Sequence, residues 1–186
     1  MRLFIAAEPP IEVRRKAAEI GKELISTGAD IKPVAEENVH VTLKFLGEVE
    51  MAQIADICET IKSSLRNFHG FMACACNIGY LGMGKRINTV VSLFTDGKEE
   101  LEKITEALES SLSGIRSEAR EPKPHLTIAR VKSGRNLDNL RRAIEEMRDV
   151  KVGEFSVKEI VLKQSTLSPA GPGYETVSTF PLTNNL

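Results

Sequence analysis

The sequence predicts an α+β protein of two pseudo-symmetric lobes, with antiparallel or mixed sheets flanked by helices and an active-site cleft between the lobes. Helical and strand patterns alternate in the same order, strand-helix-strand-helix-strand, in each half of the 186 residues. Several strands alternate polar and apolar residues, which is typical of antiparallel or mixed sheets with one open face. The turn at residues 82–84 is too short for a linker. We therefore expect one domain over residues 1–186, with an internal repeat of approximately 1–84 and 85–186.

The first half is predicted to contain three strands and two helices. Apolar residues at helical spacing predict helices over residues 11–26 and 54–65. Short β-rich or alternating runs predict strands over residues 2–7, 40–46 and 71–80.

The second half repeats this order and adds one strand. Helical spacing predicts helices over residues 101–112 and 137–147. The predicted strands are 89–94, 125–131, 155–163 and, after a Gly-Pro-Gly turn, 174–182.

Composition excludes several classes of protein. Hydrophobic residues make up 41% of the chain and charged residues 27%, an ordinary balance for a globular protein. The formal net charge of −1 excludes a uniformly basic nucleic-acid coat but allows a local basic cleft. The three cysteines lack metal-ligand spacing, so we expect small buried side chains in a reducing compartment. No signal-peptide pattern or long apolar run is present, which predicts a cytoplasmic protein.

One short motif occurs once in each half of the chain. Residues 40–43 (His-Val-Thr-Leu) match residues 125–128 (His-Leu-Thr-Ile), 85 positions later. Alternate residues of a strand share a face, so His40, Thr42 and Lys44 are expected on one face, with Phe45 turned to the core. His125 and Thr127 are expected to share a face in the same way.

Two facing histidines are suited to acid–base chemistry at phosphorus. The ordinary pKa of histidine, about 6.5, lets one ring take a proton from water while the other gives a proton to the leaving oxygen. In-line displacement needs those two groups on opposite sides of the phosphorus atom. Two alternatives are a metal site, which lacks companion ligands at suitable spacing, and a pair of buried structural histidines. The third histidine, His69, lacks the motif and is expected at the surface.

The motifs and their surroundings resemble the RNA 2',3'-cyclic phosphodiesterases, also called the 2'-5' RNA ligase family, of the 2H phosphoesterase superfamily. Residues 37–48 (Glu-Asn-Val-His-Val-Thr-Leu-Lys-Phe-Leu-Gly-Glu) resemble the first signature, and residues 124–130 (Pro-His-Leu-Thr-Ile-Ala-Arg) resemble the second. The ending, with residues 164–167, Gly171-Pro172 and Tyr174, is also similar. Many members have an aromatic residue about seven positions before the first histidine, where this chain has residues 32–34 (Lys-Pro-Val).

The resemblance implies a reaction, its catalytic residues and a partner. It implies hydrolysis of a terminal 2',3'-cyclic phosphate of RNA to a 2'-phosphomonoester, without metal or other cofactor. His40 would be the proton donor to the departing 3'-oxygen and His125 the proton acceptor that activates water. The same pair, run in reverse, would give 2'-5' RNA ligation. The expected partner is RNA with a cyclic-phosphate end, tRNA fragments included, and the protein is expected to be a monomer with no membrane partner.

Further side chains are candidates for binding the substrate. The hydroxyls of Thr42 and Thr127 could donate hydrogen bonds to the non-bridging phosphoryl oxygens. Lys44, Arg86 and Arg130 are candidates near the phosphate, although a structural ion pair is an equal alternative for Arg130. The chain has no Trp and two Tyr, so Tyr174 is a candidate for stacking on a base. The rival functions are a 2H phosphoesterase for another small cyclic or 2'-5'-linked nucleotide, and a protein that binds RNA ends without turnover.

Overall fold

A computed structural model describes residues 1–115, 123–168 and 171–183. These residues form nine strands and four α-helices, with short 3-10 segments at 24–27, 36–38 and 51–53. In chain order, the elements are β1 (Arg2–Ala7), α1 (Ile11–Glu23), β2 (Ile31–Pro33), β3 (Val41–Glu48), α2 (Ile54–Leu65), β4 (Phe71–Met83), β5 (Arg86–Phe94), α3 (Lys98–Ser111), β6 (His125–Val131), α4 (Leu137–Glu146), β7 (Gly153–Val157), β8 (Glu159–Ser168) and β9 (Gly171–Pro181).

The strands form one sheet in the order β7-β4-β5-β6-β3-β1-β8-β9, and β2 pairs with β6. Every ladder between these strands is antiparallel. The strands β3 and β6, which contain the two motifs, are neighbours in the middle of the sheet. One lobe is β3-β1-β8-β9 and the other is β6-β5-β4-β7, which confirms the predicted α+β class with two similar lobes. Relative to the sequence halves, the lobes exchange strands, because β4 joins β5 while β8 joins β1.

The helices pack against one face of the sheet. Their apolar stripes, such as Leu101, Ile104 and Leu108 of α3, belong to a core cluster to which all four helices contribute. From β1, Leu3, Ile5 and Ala7 enter the same cluster, because alternate residues of a strand share a face. The opposite face of β1 presents Phe4 and Ala6, which form a small separate cluster with Val161 of β8. The sheet is therefore covered by helices on one face, and its other face holds the candidate site.

The predicted strand over residues 155–163 is wrong in one respect, because two strands occupy this region. The chain leaves β7 at Val157 and begins β8 at Glu159, with Lys158 between them. The strand β7 pairs with β4 at one edge of the sheet, whereas β8 pairs with β1 in the other lobe. Both strands have the same two-residue alternation, so the pattern alone does not reveal the break.

The predictions for the cysteines and for membrane-spanning segments can also be compared with the structure. Cys74 and Cys76 of β4 are joined by a disulfide, contrary to the expectation of small buried side chains in a reducing compartment, while Cys58 is free. In the described parts of the chain, no helix is both long and apolar enough to cross a membrane.

Candidate active site

The two motif histidines lie on adjacent strands. Val41 of β3 pairs with Leu126 of β6, and each of these residues directly follows the histidine of its motif. Continuing that antiparallel register by one residue sets His40 opposite Thr127 and His125 opposite Thr42. The two histidines are then diagonal neighbours on one face, a relationship in which Cα atoms are typically about 7–8 Å apart. The register brings both histidines and both threonines to the helix-free face.

Each imidazole is held by the backbone in the same way. Nδ1 of His40 donates a hydrogen bond to the carbonyl oxygen of Asn38 at 2.8 Å, and Nδ1 of His125 donates one to the carbonyl oxygen of Lys123 at 2.7 Å. A carbonyl oxygen can only accept, so Nδ1 carries the hydrogen in both rings. In the neutral ring, Nε2 is then the atom with a free lone pair. Each lobe therefore offers one Nε2 that can accept a proton.

Burial favours the neutral form of both histidines. Desolvation lowers the pKa of His40 to about 4, against the opposing effect of the hydrogen bond to Asn38. The charges of Lys163 and Arg130 lower this pKa further, and the charge of Glu8 raises it. Desolvation also lowers the pKa of His125, with a smaller contribution from Arg130. At neutral pH, both rings of the ligand-free protein are therefore uncharged.

A β-bulge follows the threonine of each motif. In the ladder between β1 and β3, Ala6 pairs with Thr42 and Ile5 with Lys44, so Leu43 is the extra residue. In the ladder between β5 and β6, Ile128 is the extra residue at the equivalent position of the second motif. A bulge shifts the alternation of the strand by one residue. After each bulge, the side chains therefore point to the opposite face from the one that strict alternation predicts.

The bulge at Leu43 corrects the prediction for Lys44 and Phe45. Lys44 is 1% exposed, and its Nζ lies 2.6 Å from Oε2 of Glu109 on α3. Phe45 was expected in the core, yet it is 44% exposed and packs near Phe4 on the face that holds His40. Lys44 therefore lies on the helix face, beneath the histidines, and is not placed to bind phosphate.

The equivalent bulge at Ile128 brings Arg130 to the site. Ala129 turns into the core, and Arg130, the next residue, is exposed. Its charge acts on the pKa of both His40 and His125, which places the guanidinium near both rings. No ion pair to Arg130 is found among the described residues, so the structural alternative for this side chain lacks support.

Arg86 lies away from the histidines. It pairs with Met83 at the turn of the β4–β5 hairpin, whereas Leu93, seven residues further along β5, pairs with His125. Seven residues of strand span roughly 20 Å. Arg86 is therefore not beside the reacting phosphate, contrary to the prediction for this residue.

Tyr174 lies in the site, but against a histidine. Its ring is edge-on to the ring of His40, with a centroid distance of 5.1 Å, and Phe4 lies 4.9 Å from His40 on another side. These two rings explain much of the burial of His40. Away from the site, His69 is exposed and its Nδ1 lies 2.7 Å from the hydroxyl of Thr183, which confirms the predicted surface position.

The comparisons with known proteins agree with this arrangement. The family model of LigT-like phosphoesterases matches residues 8–86 and 92–174, with one histidine motif in each segment. The chain belongs to the LigT-like phosphoesterase family. This confirms the resemblance to the 2H phosphoesterases.

Relatives match the LigT-like chain over nearly its whole length. An RNA 2',3'-cyclic phosphodiesterase of Methanocaldococcus jannaschii is 36% identical over 95% of this chain and 98% of its own. A protein of the same name from Thermotoga maritima is 36% identical over 94% of this chain and 92% of its own.

Solved structures share the fold. The crystal structure of a Thermus thermophilus protein, TT0787, has a TM-score of 0.80 at 25% identity, with all of both chains covered. E. coli LigT complexed with 3'-AMP has a TM-score of 0.79 at 23% identity, covering 98% of each chain.

The LigT-like site also includes an ion pair that sequence reasoning missed. Nζ of Lys163 on β8 contacts Oε1 of Glu8, which follows β1, and lies 3.3 Å from the hydroxyl of Thr176. Lys163 is 6% exposed and pairs across the sheet with Phe4, so it belongs to the His40 face. Glu8 and Lys163 are 155 residues apart in sequence. Since neither residue belongs to a motif, no sequence pattern connects them.

The described side chains around the motif histidines include no cluster of metal-ligating residues. In residues 1–115, 123–168 and 171–183, no group of three or more His, Cys, Asp or Glu side chains is close enough to hold one. Neither motif histidine is therefore part of a recognisable ligand cluster in these parts of the chain.

Proposed function

We propose that this protein hydrolyses the terminal 2',3'-cyclic phosphate of RNA to a 2'-phosphomonoester, with His40 and His125 as general acid and base. The observation that carries the proposal is the pair of identically held imidazoles. Each Nδ1 is bonded to a backbone carbonyl two residues earlier, so both Nε2 atoms are available beside the Val41–Leu126 pair. The relatives named RNA 2',3'-cyclic phosphodiesterase support the same substrate.

The reaction is an in-line displacement at phosphorus. Nε2 of His125 takes a proton from water while the water oxygen bonds to phosphorus. The bond from phosphorus to the 3'-oxygen breaks on the opposite side, and protonated His40 gives its Nε2 proton to that oxygen. The product has a free 3'-hydroxyl and a phosphate on the 2'-oxygen. His125 ends protonated and His40 neutral, and exchange of protons with solvent restores the starting state.

The negative charge of the cyclic phosphate stabilises the protonated form of His40 that the reaction needs. The pKa of His40 is about 4 without substrate, so the ring is neutral at pH 7. A phosphodiester anion beside the ring favours the imidazolium form and therefore raises this pKa. The hydroxyls of Thr42 and Thr127 donate to the non-bridging oxygens, and Arg130 offsets the charge that develops on them. By this account, His40 takes up its proton together with the substrate.

Ligation uses the same groups with a different nucleophile. If a 5'-hydroxyl of a second RNA replaces water, His125 deprotonates it and His40 protonates the 3'-oxygen. The product is a 2'-5' linkage. The balance between hydrolysis and ligation then depends on which nucleophile occupies the site.

The decisive experiment measures product identity and the dependence on both histidines. We expect RNA with a 2',3'-cyclic phosphate end to give only the 2'-phosphomonoester, in buffer with EDTA. His40→Ala and His125→Ala should each lower kcat/KM by roughly 10²- to 10⁴-fold, with strong non-additivity in the double variant. His69→Ala is the matched control, since His69 lies at the surface away from the motifs.

Other outcomes would assign another function. Tight binding of the RNA end without turnover would identify a binding protein. Turnover of other cyclic or 2'-5'-linked nucleotides alone would identify a different 2H phosphoesterase activity. Activity lost to EDTA and restored by a divalent ion would overturn the two-histidine mechanism.

A further inference from the structure

Two unpaired cations lie side by side next to the catalytic strands. Lys32 of β2 and Arg130 of β6 are direct partners in an antiparallel ladder, and both side chains are exposed. Within the described residues, neither side chain has an ion-pair or hydrogen-bond partner. Lys44 and Lys163, by contrast, are both paired with glutamates. Adjacent like charges repel each other, so a pair without a counter-charge is suited to an anionic ligand.

Lys32 extends from one lobe towards the other. Its Nζ lies 3.8 Å from the position that a Cβ atom on Gly171 would occupy, and Gly171 begins β9 of the opposite lobe. Three residues further on, Tyr174 packs against His40. On β6, Arg130 lies three residues beyond Thr127, the residue that the register sets opposite His40. Both cations therefore lie on the His40 side of the histidine pair.

The proposed reaction fixes which part of the substrate lies on that side. This step rests on the proposed function, in which His40 protonates the departing 3'-oxygen. In an in-line displacement, the attacking water and the departing oxygen are on opposite sides of phosphorus. The ribose, which holds the departing oxygen, is therefore on the His40 side, together with everything joined to its 5'-oxygen. In RNA, the next charged group along the chain is the phosphate on that 5'-oxygen.

We propose that Lys32, with Arg130 beside it, binds the phosphate on the 5' side of the terminal nucleoside. Arg130 is then shared between this phosphate and the reacting one, whereas Lys32 serves only the 5'-phosphate. The site makes the protein selective for a cyclic phosphate at the end of a nucleotide chain over a nucleoside 2',3'-cyclic phosphate.

The test compares two substrates that differ by this one phosphate. Adenosine 2',3'-cyclic phosphate and its 5'-phosphorylated form are the probes, and the measured quantity is the ratio of their kcat/KM values. We expect the wild type to prefer the 5'-phosphorylated form by roughly two- to fivefold, the range for one solvent-exposed ion pair. Lys32→Gln should reduce the ratio towards one, and Lys32→Arg should retain most of it. Lys22→Gln, which removes the charge of an exposed side chain on α1, is the matched control.

Salt dependence gives a second readout. For a single-stranded RNA with a cyclic-phosphate end, loss of one phosphate contact should reduce the slope of log KM against log salt by about 0.7, the value for single-stranded nucleic acid. A wild-type ratio near one would overturn the inference, as would an unchanged ratio in Lys32→Gln or an equal fall in Lys22→Gln. If neither probe is hydrolysed, and RNA with a 2',3'-cyclic phosphate end is not hydrolysed either, the proposed function itself fails, which distinguishes the two failures.

Discussion

Val41 and Leu126 pair directly across the junction of β3 and β6, and each follows the histidine of its motif. This one pair sets the register of the candidate site. A shift of one residue would turn either histidine to the helix face, because side chains alternate along a strand. The side chains of Val41 and Leu126 are both 0% exposed and fix β3 and β6 to the core. Because the strands are fixed in this register, the imidazoles are held on the opposite face.

The threonine hydroxyls should contribute to turnover more than to folding. Thr42→Val and Thr127→Val keep the shape of the side chain and remove one donor to a charged phosphoryl oxygen. We expect each to lower kcat/KM on cyclic-phosphate RNA by roughly ten- to a hundredfold, with a small change in the free energy of unfolding. Thr42→Ser and Thr127→Ser should restore most of the activity. Thr179→Val on β9 is the control, and an equal loss of activity in that variant would contradict the role.

Lys44 should matter for stability and not for binding phosphate. Lys44→Met leaves Glu109 beside an apolar side chain, and Glu109 is 19% exposed. We expect the free energy of unfolding in urea to fall by about 2–3 kcal/mol, less than for a fully buried pair. Lys44→Met combined with Glu109→Leu should recover most of that loss. A large rise in KM with unchanged stability would show instead that Lys44 binds the substrate.

The sequence predicted the four α-helices, most of the strands and the motif, but not β2, the break between β7 and β8, or the faces beyond the motif. Periodicity identified the four α-helices, and two-residue alternation correctly paired His40 with Thr42 and His125 with Thr127. Prediction failed at Lys44, because a bulge at Leu43 depends on how β3 pairs with β1. The same effect at Ile128 turns Arg130 towards the histidines. A bulge is a property of two paired strands, so one strand's sequence does not reveal it.

Burial of His40 should make the protein less stable in acid. The pKa is about 4 in the folded protein and about 6.5 when unfolded, so between these values the unfolded state binds more protons. The stability contributed by neutral His40 is therefore complete above pH 6.5 and is lost as pH falls towards 4. We expect the free energy of unfolding to rise with pH across this window, by at most about 1.4 kcal/mol per pH unit from this group.

Replacing the imidazole of His40 isolates its contribution to the pH dependence of the free energy of unfolding. Denaturation in urea between pH 4 and 7.5 should give a smaller pH slope for His40→Gln than for the wild type. The slope that remains includes His125, whose pKa is also lowered. His69→Gln, which replaces an exposed histidine outside the motifs, is the control variant. Identical slopes in the wild type and His40→Gln would contradict a buried neutral ring.

The ion pair between Lys163 and Glu8 should set the pKa of His40 through two opposite charges. Lys163 lowers this pKa and Glu8 raises it, while Arg130 is the other nearby charge and Tyr174 is the ring in contact. Lys163→Met should therefore raise the pKa of His40, and Glu8→Gln should lower it. The double variant removes both charges, so its pKa should lie between those of the single variants. The measurement is an NMR titration of the His40 imidazole in the ligand-free protein, which does not depend on turnover.

The directions in which Lys163→Met and Glu8→Gln shift the pKa of His40 distinguish an effect of charge from damage to the fold. Loosening the site would expose His40 and move its pKa towards 6.5 in both single variants, since desolvation is the largest cause of its shift. Shifts in opposite directions can arise only if each charge acts on the ring. Lys158→Met, which removes a charge from the residue between β7 and β8, should leave the titration of His40 unchanged. Because His40 must be protonated to act as the acid, Glu8→Gln should also lower kcat at neutral pH, and Lys163→Arg should retain the wild-type profile.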